Sequence, residues 1–408
     1  MLECSAGLAP QIGRGVEVVG VAVRDLSKPR PGIPAEWLTD DALGLIASSQ
    51  PDIVIELIGG HEPAASLIRA AFAAGASVVT ANKALLGREG KELFALAEQA
   101  GVDLFFEAAV AGAIPIVRPL RESLVGDRIT SAVGIVNGTT NFILEQMATQ
   151  GMAFDAALAE AKRLGYAEED PTNDVEGFDA ASKVALLASL GFHTWVGSER
   201  VYREGITALT PADFRAAEVI GCVIKLLAVT TLSASGEVSA RVHPALVPAD
   251  HILATVSGAY NAIFLEAEHA GRLAFFGPGA GGVPTASAVI GDVVAVGRNR
   301  IREVITPVQV AERALPVRQI GQISTHYFMR FLVADAPGIL ARVGEVFARH
   351  GISVRSLNQV TDTTDTEQAQ LGVLTHLALE ADIQACIAEL SRCDFVGSEV
   401  RMLRVEGL

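Results

Sequence analysis

Between Val16 and about Gly112 short, continuously apolar runs alternate with helical stretches, and this constrains the fold more than any other feature. Val16–Val23 reads as a strand ending in Arg24-Asp25, and Ile53–Ile58 as a second, stopped by Gly59-Gly60. Ser77–Thr80 and Asp103–Phe106 read as two more, with helices expected over Pro63–Ala74 and Arg88–Gln99. A strand without polar alternation is buried on both faces, so these runs predict a parallel sheet covered by helices on either side. Ligands of such sheets bind beyond the carboxyl ends of the strands. Arg24, Gly59-Gly60, Thr80-Ala81-Asn82-Lys83 and Glu107 stand at those ends.

The rest of the 408 residues divides in two. From about Ala113 to Arg298 long helical stretches mix with strand-like runs such as Ser131–Val136 and Ile263–Glu268, an α+β pattern. There a helix over Thr285–Val296 follows the glycine-rich loop Gly277–Gly282. After a linker near Leu315–Gln322 come strand His326–Val333, helix Gly338–His350 and strands Ser353–Val360 and Leu371–Leu379. Helix Ile383–Leu390 and strand Ser398–Val405 complete a ferredoxin-like βαββαβ order. The expected domains are therefore 1–112, with helix 285–298 packed back on it, then 113–315 and 324–408.

Composition removes several classes of function. A formal charge of −15 without any Lys/Arg-rich run argues against nucleic acid. Half the residues are hydrophobic, yet no run approaches the roughly 18 to 20 apolar residues of a membrane span. Cys4, Cys222, Cys386 and Cys393 are scattered without a CxxC pair, which reads as reduced thiols. The histidines show no HxxxH or HExxH spacing, so no His-ligated metal is expected. The first residues have no basic segment followed by an apolar core, hence no signal peptide, and the expected location is cytoplasmic.

Chemistry concentrates in Gly165–Lys183, where six carboxylates crowd around Pro171-Thr172-Asn173 and run into a helix. Asp179 and Lys183 are four apart, so they share a helix face and can pair. One reading is a solvated acidic loop with a routine surface pair. Against it, Lys183 enters the apolar run Val184-Ala185-Leu186-Leu187-Ala188, and a lysine in a buried helix needs a reason. A pocket rimmed by carboxylates suits an amino acid's ammonium, and a lysine held by Asp179 could exchange a proton with a hydroxyl or carbonyl. Thr80–Lys83 reads either as a site or as an Asn-containing turn with a solvated lysine. Asn137-Gly138-Thr139-Thr140-Asn141 follows a strand and precedes a helix, so Gly138 allows close approach of a ligand, or Thr139 or Asn141 merely caps the helix. The Gly277–Gly282 loop offers a weak phosphate-binding signal.

Together Thr80–Lys83, Glu107–Pro115, Asn137–Asn141, Gly165–Lys183 and Gly277–Ser287 resemble, in order and spacing, the motifs of the homoserine dehydrogenases. The resemblance covers nearly the whole chain, and the Gly165–Lys183 block is specific to that family. It implies hydride transfer between a nicotinamide cofactor and aspartate semialdehyde, on the way to threonine, methionine and isoleucine. It also implies a Rossmann-like parallel sheet, an α+β catalytic domain and a C-terminal ACT domain, in a homodimer or homotetramer. By that resemblance Lys183 is the proton donor, Asp179 orients it, and Glu168 and Asp174 hold the substrate's amino end. Lys83 becomes a second active-site lysine near substrate and nicotinamide, while Gly165 and Gly282 match glycines that approach the cofactor. Glu107, Val110, Gly112 and Ile114 match a loop whose backbone carbonyls hold a sodium ion in relatives. Arg24 ends its strand where NAD-specific folds place an acid for the ribose hydroxyls, which favours NADP; Asp25 beside it keeps NAD open. Asp335-Ala336-Pro337-Gly338 stands where ACT domains commonly bind a small amino acid, threonine being the first candidate, the alternative being a structural or dimer-forming role.

The opening departs from that pattern. Relatives start with a strand and a Gly-x-Gly-x-x-Gly turn, whereas no strand precedes Gly13 and Gly15 here. This stretch is expected to be the tail of the first helix and its loop, with a sheet-central strand missing between those at Val16 and Ser77. A start codon placed too late is the simplest expectation, and with it weak cofactor binding by the chain as written. The rival reading is a cofactor-free chain that senses an amino acid through its ACT unit.

Overall fold

The computed structural model describes residues 5–307, 314–361, 368–397 and 399–407. Cys4 and Ser398, named above, lie outside them. The chain divides into two compact units: Met1–Thr130, Ser182–Arg200 and Leu265–Leu315 form unit 1, and Ser131–Ala181, Val201–Phe264 and Pro316–Leu408 form unit 2. Strands and helices are numbered along the chain.

Unit 1 holds two parallel sheets. β1 (Val21–Ala22) pairs with β2 (Leu38–Thr39), and helix α2 (Ala42–Ser49) follows, capped by Asp41. The larger sheet runs β3 (Ile53–Glu56), β4 (Ser77–Thr80) and β5 (Leu104–Phe105), with Ile53 beside Ser77 and Val78 beside Leu104. β4 is buried at all four positions, as a central strand without polar alternation requires. The crossover between β3 and β4 is α3 (Ala64–Ala73), whose Ala64, Leu67, Ile68 and Ala71 repeat at helical spacing and are buried. α4 (Lys83–Ala100) links β4 to β5. One face of the sheet is closed by α10 (Gly282–Arg302), which packs Val289, Val293 and Val296 against Val79 and Phe105. β11 (Gly271–Pro278) leads into that helix. α1 (Ser5–Ile12) packs on α10, where Gly297 makes room for Ile12. Gly13 ends α1 with φ +94°, so the early glycines are a helix end, as read from the sequence.

Two expectations for this region need correction. The strand expected over Val16–Val23 shrinks to Val21–Ala22, since among the described residues β2 is its one partner and Val19 is half exposed. The missing strand was placed next to Ser77, but β4 is paired on both sides by β3 and β5. The open edges of this sheet among the described residues are Ile53–Glu56 and Leu104–Phe105.

Unit 2 is built on one sheet whose strands run β10 (Tyr260–Ala267), β6 (Ile129–Ile135), β8 (Cys222–Leu232), β9 (Val238–Pro248), β16 (Arg401–Val405), β12 (Ser324–Ala334), β14 (Gln368–Thr375) and β13 (Val354–Thr361). β8 and β9 form a long antiparallel hairpin in register from Cys222 opposite Pro248 to Leu232 opposite Val238. The sequence patterning had not marked this hairpin: nearly every residue is buried, so neither strand alternates. Helices α5 (Gly138–Gln150), α6 (Phe154–Arg163), α7 (Thr172–Val175) and α9 (Pro211–Val219) accompany these strands, and α8 (Phe178–Gly191) begins here. The last four sheet strands with α11 (Ile339–Arg349) and α12 (Glu380–Leu390) make the expected ferredoxin-like order, its core including Tyr327, Phe331, Phe347, Leu371 and Ile383. β15 (Ala378–Leu379) adds a short pairing to β12.

β16 also runs parallel to β9, Arg404 beside Ala245 and Val405 beside Leu246, so the C-terminal sheet continues the central one. β7 (Tyr202–Arg203) shares that edge of β9, Tyr202 beside Arg241. A buried charge knot fills the seam. Arg404 Nε and Nη2 donate to both oxygens of Glu380 at 2.8 and 2.7 Å, and Nη1 donates to Glu204 at 2.8 Å. Arg241 Nη2 donates to Glu406 at 2.7 Å and its Nε to His243 at 3.3 Å. Burial, and then the neighbouring Arg404 and Arg241, hold His243 well below the usual histidine range. Among the described residues no helix is long and apolar enough to cross a membrane.

Candidate active site

In unit 2 the site grows from the carboxyl end of β6. Asn137, buried, caps α5: its Oδ1 accepts the N–H of Thr140 at 2.9 Å. Its Nδ2 donates to Asp174 at 2.7 Å and to Asp179 at 2.9 Å, so one amide joins two carboxylates that lie on different helices. The cap is therefore Asn137, and neither Thr139 nor Asn141. Thr139 donates to the Tyr166 carbonyl, while Asn141 Nδ2 donates to the carbonyls of Val256 and Gly258. A side chain at Gly138 would strike the Ala259 carbonyl at 2.5 Å, so glycine is required there by the protein itself.

The acidic segment is ordered by local bonds. Gly165 closes α6 in the left-handed region at φ +79°, which a residue without Cβ adopts readily. Lys162 donates to the Glu169 carbonyl, and Asp170 accepts from the N–H and hydroxyl of Thr172. Glu168 remains exposed. Arg203 donates to the Glu176 carbonyl and lies 3.5 Å from the ring centre of Phe178, gripping the turn between Asp174 and Asp179. Sequence reasoning found the carboxylates but assigned nothing to Asn137 or Arg203. A polar residue directly after an apolar strand was the available signal for Asn137.

Unit 1 carries the lysines. Thr80–Lys83 is a helix start: Asn82 caps α4 by accepting the Leu85 N–H at 3.1 Å and donates to the Gly60 carbonyl at 2.7 Å. Thr80 donates to Glu56 at 2.6 Å, and the other Glu56 oxygen accepts the N–H groups of Ile58 and Gly59. Lys83 is the first residue of α4 and half-buried. One turn on, a Cβ at Gly87 would meet Ser182 at 3.5 Å, so α4 crosses α8 beside Lys183. Lys183 is 7% exposed, which excludes the solvated surface pair.

Glu107 spends its side chain within the fold. Its carboxylate accepts N–H groups from Ile116, Val117 and Arg118 at 2.6, 2.8 and 2.9 Å. Its own N–H donates to Asp292, whose carboxyl is pushed up to about 6 chiefly by burial. The loop onward is buried at Val110 and Ile114, and at Gly112 (φ +62°) an added Cβ would strike the Gly279 carbonyl at 2.4 Å. Gly282 opens α10 and is exposed. Arg24 is exposed just after β1, while the Asp25 carboxylate accepts from the N–H and hydroxyl of Ser27, which lowers its pKa. In the C-terminal unit Gly338 precedes α11 with φ +89°, and Asp335 accepts from Gln359 at 3.2 Å.

A helix-covered parallel sheet and an α+β unit with clustered carboxylates are the make-up of a nicotinamide-dependent dehydrogenase. Comparison with known proteins agrees. Residues 115–294 match the homoserine dehydrogenase profile, 5–107 the homoserine dehydrogenase NAD-binding domain, and 327–391 the ACT domain. The homoserine dehydrogenase of Corynebacterium glutamicum is 50% identical over 410 residues, covering 100% of this chain and 92% of that protein. A crystal structure of a homoserine dehydrogenase from Thiobacillus denitrificans matches with TM-score 0.93 and 40% identity, over 99% of this chain and 94% of that one. A hyperthermophilic archaeal homoserine dehydrogenase mutant, solved in complex with NADPH, matches with TM-score 0.55 and 32% identity over 63% of this chain and 74% of that one. The chain belongs to the homoserine dehydrogenase family. It is an oxidoreductase with a small-molecule substrate and a nicotinamide cofactor, and the cofactor-free sensor reading is set aside.

Proposed function

We propose that the chain interconverts L-homoserine and L-aspartate 4-semialdehyde with NADP, with Lys183 as the group that moves the proton. The observation that carries this reading is a buried lysine one helical turn beyond Asp179, itself held beside Asp174. In oxidation Lys183, in its neutral form, accepts the hydroxyl proton as the carbinol C–H bond breaks; in reduction it returns that proton to the aldehyde oxygen. A bound nicotinamide supplies the hydride chemistry. Asp179 orients Lys183, Asp174 and Glu168 receive the substrate ammonium, and Lys83 stands near substrate and cofactor.

The cofactor reading rests on Arg24, exposed at a strand end, and on Asp25, whose carboxylate is already engaged by Ser27. Gly165 and the exposed Gly282 at the start of α10 offer backbone without a Cβ. For sodium the donor set is carbonyl only: the Glu107 carboxylate is taken by three N–H groups, and no cluster of acids, His or Cys suited to a metal occurs among the described residues. Neutral oxygens of Glu107, Val110, Gly112 and Ile114 fit a hard monovalent ion, which would brace that buried loop. We further propose a cytoplasmic enzyme, homodimeric or homotetrameric, serving threonine, methionine and isoleucine synthesis. Residues 1–112 with helix 285–298 would hold the cofactor, 113–315 would carry catalysis and dimerisation, and 324–408 would bind threonine near Asp335 and Gly338.

The test is Lys183→Ala, assayed for homoserine-dependent NADP reduction. General acid–base catalysis typically contributes about 10² to 10⁴-fold, and a loss of that order is expected with the fold retained by circular dichroism. Near-wild-type turnover in a folded variant would make Lys183 a structural residue.

A further inference from the structure

We infer that Asn137 is a positioning residue: its amide sets the spacing and ionisation of Asp174 and Asp179, and so places the acid pair on which the proposed chemistry depends. The inference rests on that reading of Asp179 and adds a residue to which no role in the reaction has been given. Three observations carry it.

The first is the direction of the amide. Its oxygen accepts both the N–H and the hydroxyl of Thr140, each at 2.9 Å, which leaves the NH₂ group facing the two acids. A flipped amide would aim an oxygen at two carboxylates, so chemistry fixes the assignment. The second is distance. Because one nitrogen serves both, the two carboxylate oxygens are at most 2.7 + 2.9 = 5.6 Å apart. Like charges that close raise each other's pKa unless donors hold the charged forms. The amide supplies such a donor to each without adding a charge of its own. The third is rigidity. Asn137 is 6% exposed and sits where β6 becomes α5, and Gly138 is wedged against the Ala259 carbonyl. The charged groups on the elements that bear on it include Asp174 on α7 with Glu176 at its end, Asp179 on α8 with Lys183 one turn further along, Glu145 on α5, and Lys225 on β8, which donates to Asn141.

The cap and the donors can be separated by substitution. Asn137→Ser keeps a good helix cap but cannot reach both acids; Asn137→Asp keeps the capping oxygen and replaces the donors with a third charge. With Asn137→Ser we expect kcat to fall about 10 to 100-fold and the homoserine KM to rise. The acidic limb of the kcat profile should move up by about one pH unit, because a carboxylate that loses its donor is harder to ionise. The KM for NADP should stay within twofold. Asn137→Asp should move the limb further in the same direction. Asp179→Asn is run alongside. If it abolishes turnover while both Asn137 variants keep the wild-type kcat and acidic limb, the positioning role is overturned. If Asp179→Asn itself leaves turnover intact, the assignment of the acid pair fails instead. A fall in melting temperature with an unmoved pH profile in both Asn137 variants would reduce Asn137 to a helix cap and equally overturn the inference.

Discussion

Around Asn137 two carboxylates share the N–H groups of one neutral amide, whereas around Arg404 the carboxylates meet guanidinium groups. Both clusters lie in unit 2, and the difference separates holding from binding. At the seam the charges are compensated inside the fold. Glu380 is 2% exposed and receives a bidentate arginine, an arrangement that leaves nothing for a ligand. At Asn137 the acids are positioned by a neutral amide that adds no charge of its own.

The largest effect that tests this contrast belongs to the seam. Arg404→Met leaves Glu380 buried without its guanidinium, and removing one partner of a buried pair costs about 3–5 kcal/mol. Denaturant unfolding should show that loss, while kcat of the folded fraction stays within a few-fold. The double variant Arg404→Met with Glu380→Met should recover most of the stability, since an apolar pair of similar size replaces the whole interaction. A double variant no better than the single would mean that the seam needs its charges. Next in size is Asp174→Asn, which removes one charge of the acid pair. Homoserine KM should rise about tenfold, a loss of about 1.4 kcal/mol. Stability should hold or improve by about 0.5–1 kcal/mol as repulsion is relieved. A variant that lost stability instead would place Asp174 with the structural charges.

The smallest effect concerns His243. Its folded-state pKa is depressed, so below the ordinary value of 6.5 the unfolded chain binds a proton that the folded one refuses. Its contribution is complete above that pH and is lost as pH falls, by about 1.4 kcal/mol per unit for one proton. His243→Gln should flatten stability between pH 6 and 5, and an unchanged slope would show that the histidine does protonate within the seam.

These clusters also mark where the sequence was readable. Lys183 stood out because an ammonium entering Val184–Ala188 breaks an apolar run, and Asp179 followed from helical spacing. The order of the C-terminal unit was legible because β14 alternates throughout between buried and partly exposed positions, and β12 does so apart from a buried run at Tyr327–Met329. β8 and β9 were not. Buried on both faces and interrupted by Lys225, Arg241 and His243, they carry neither alternation nor a clean apolar run. Arg404 meets Glu204 only through folding, and no local pattern pairs residues so far apart in the chain. Asn137 was visible as a polar residue after a strand, but its two acids become its partners only once α7 and α8 fold back to it.

The parallel pairing of β16 with β9 has a temporal side. β9 leaves the ribosome with its hairpin partner β8, whereas β16 emerges more than a hundred residues later. At about 5–20 residues per second the outer edge of β9 near Ala245 waits on the order of ten seconds for its neighbour. Such an edge invites pairing with another nascent chain. Arg241 and His243 give the waiting strand polar side chains until Glu406 arrives to accept from Arg241. Side chains that close the seam in the finished protein are thus also placed to guard this edge during synthesis.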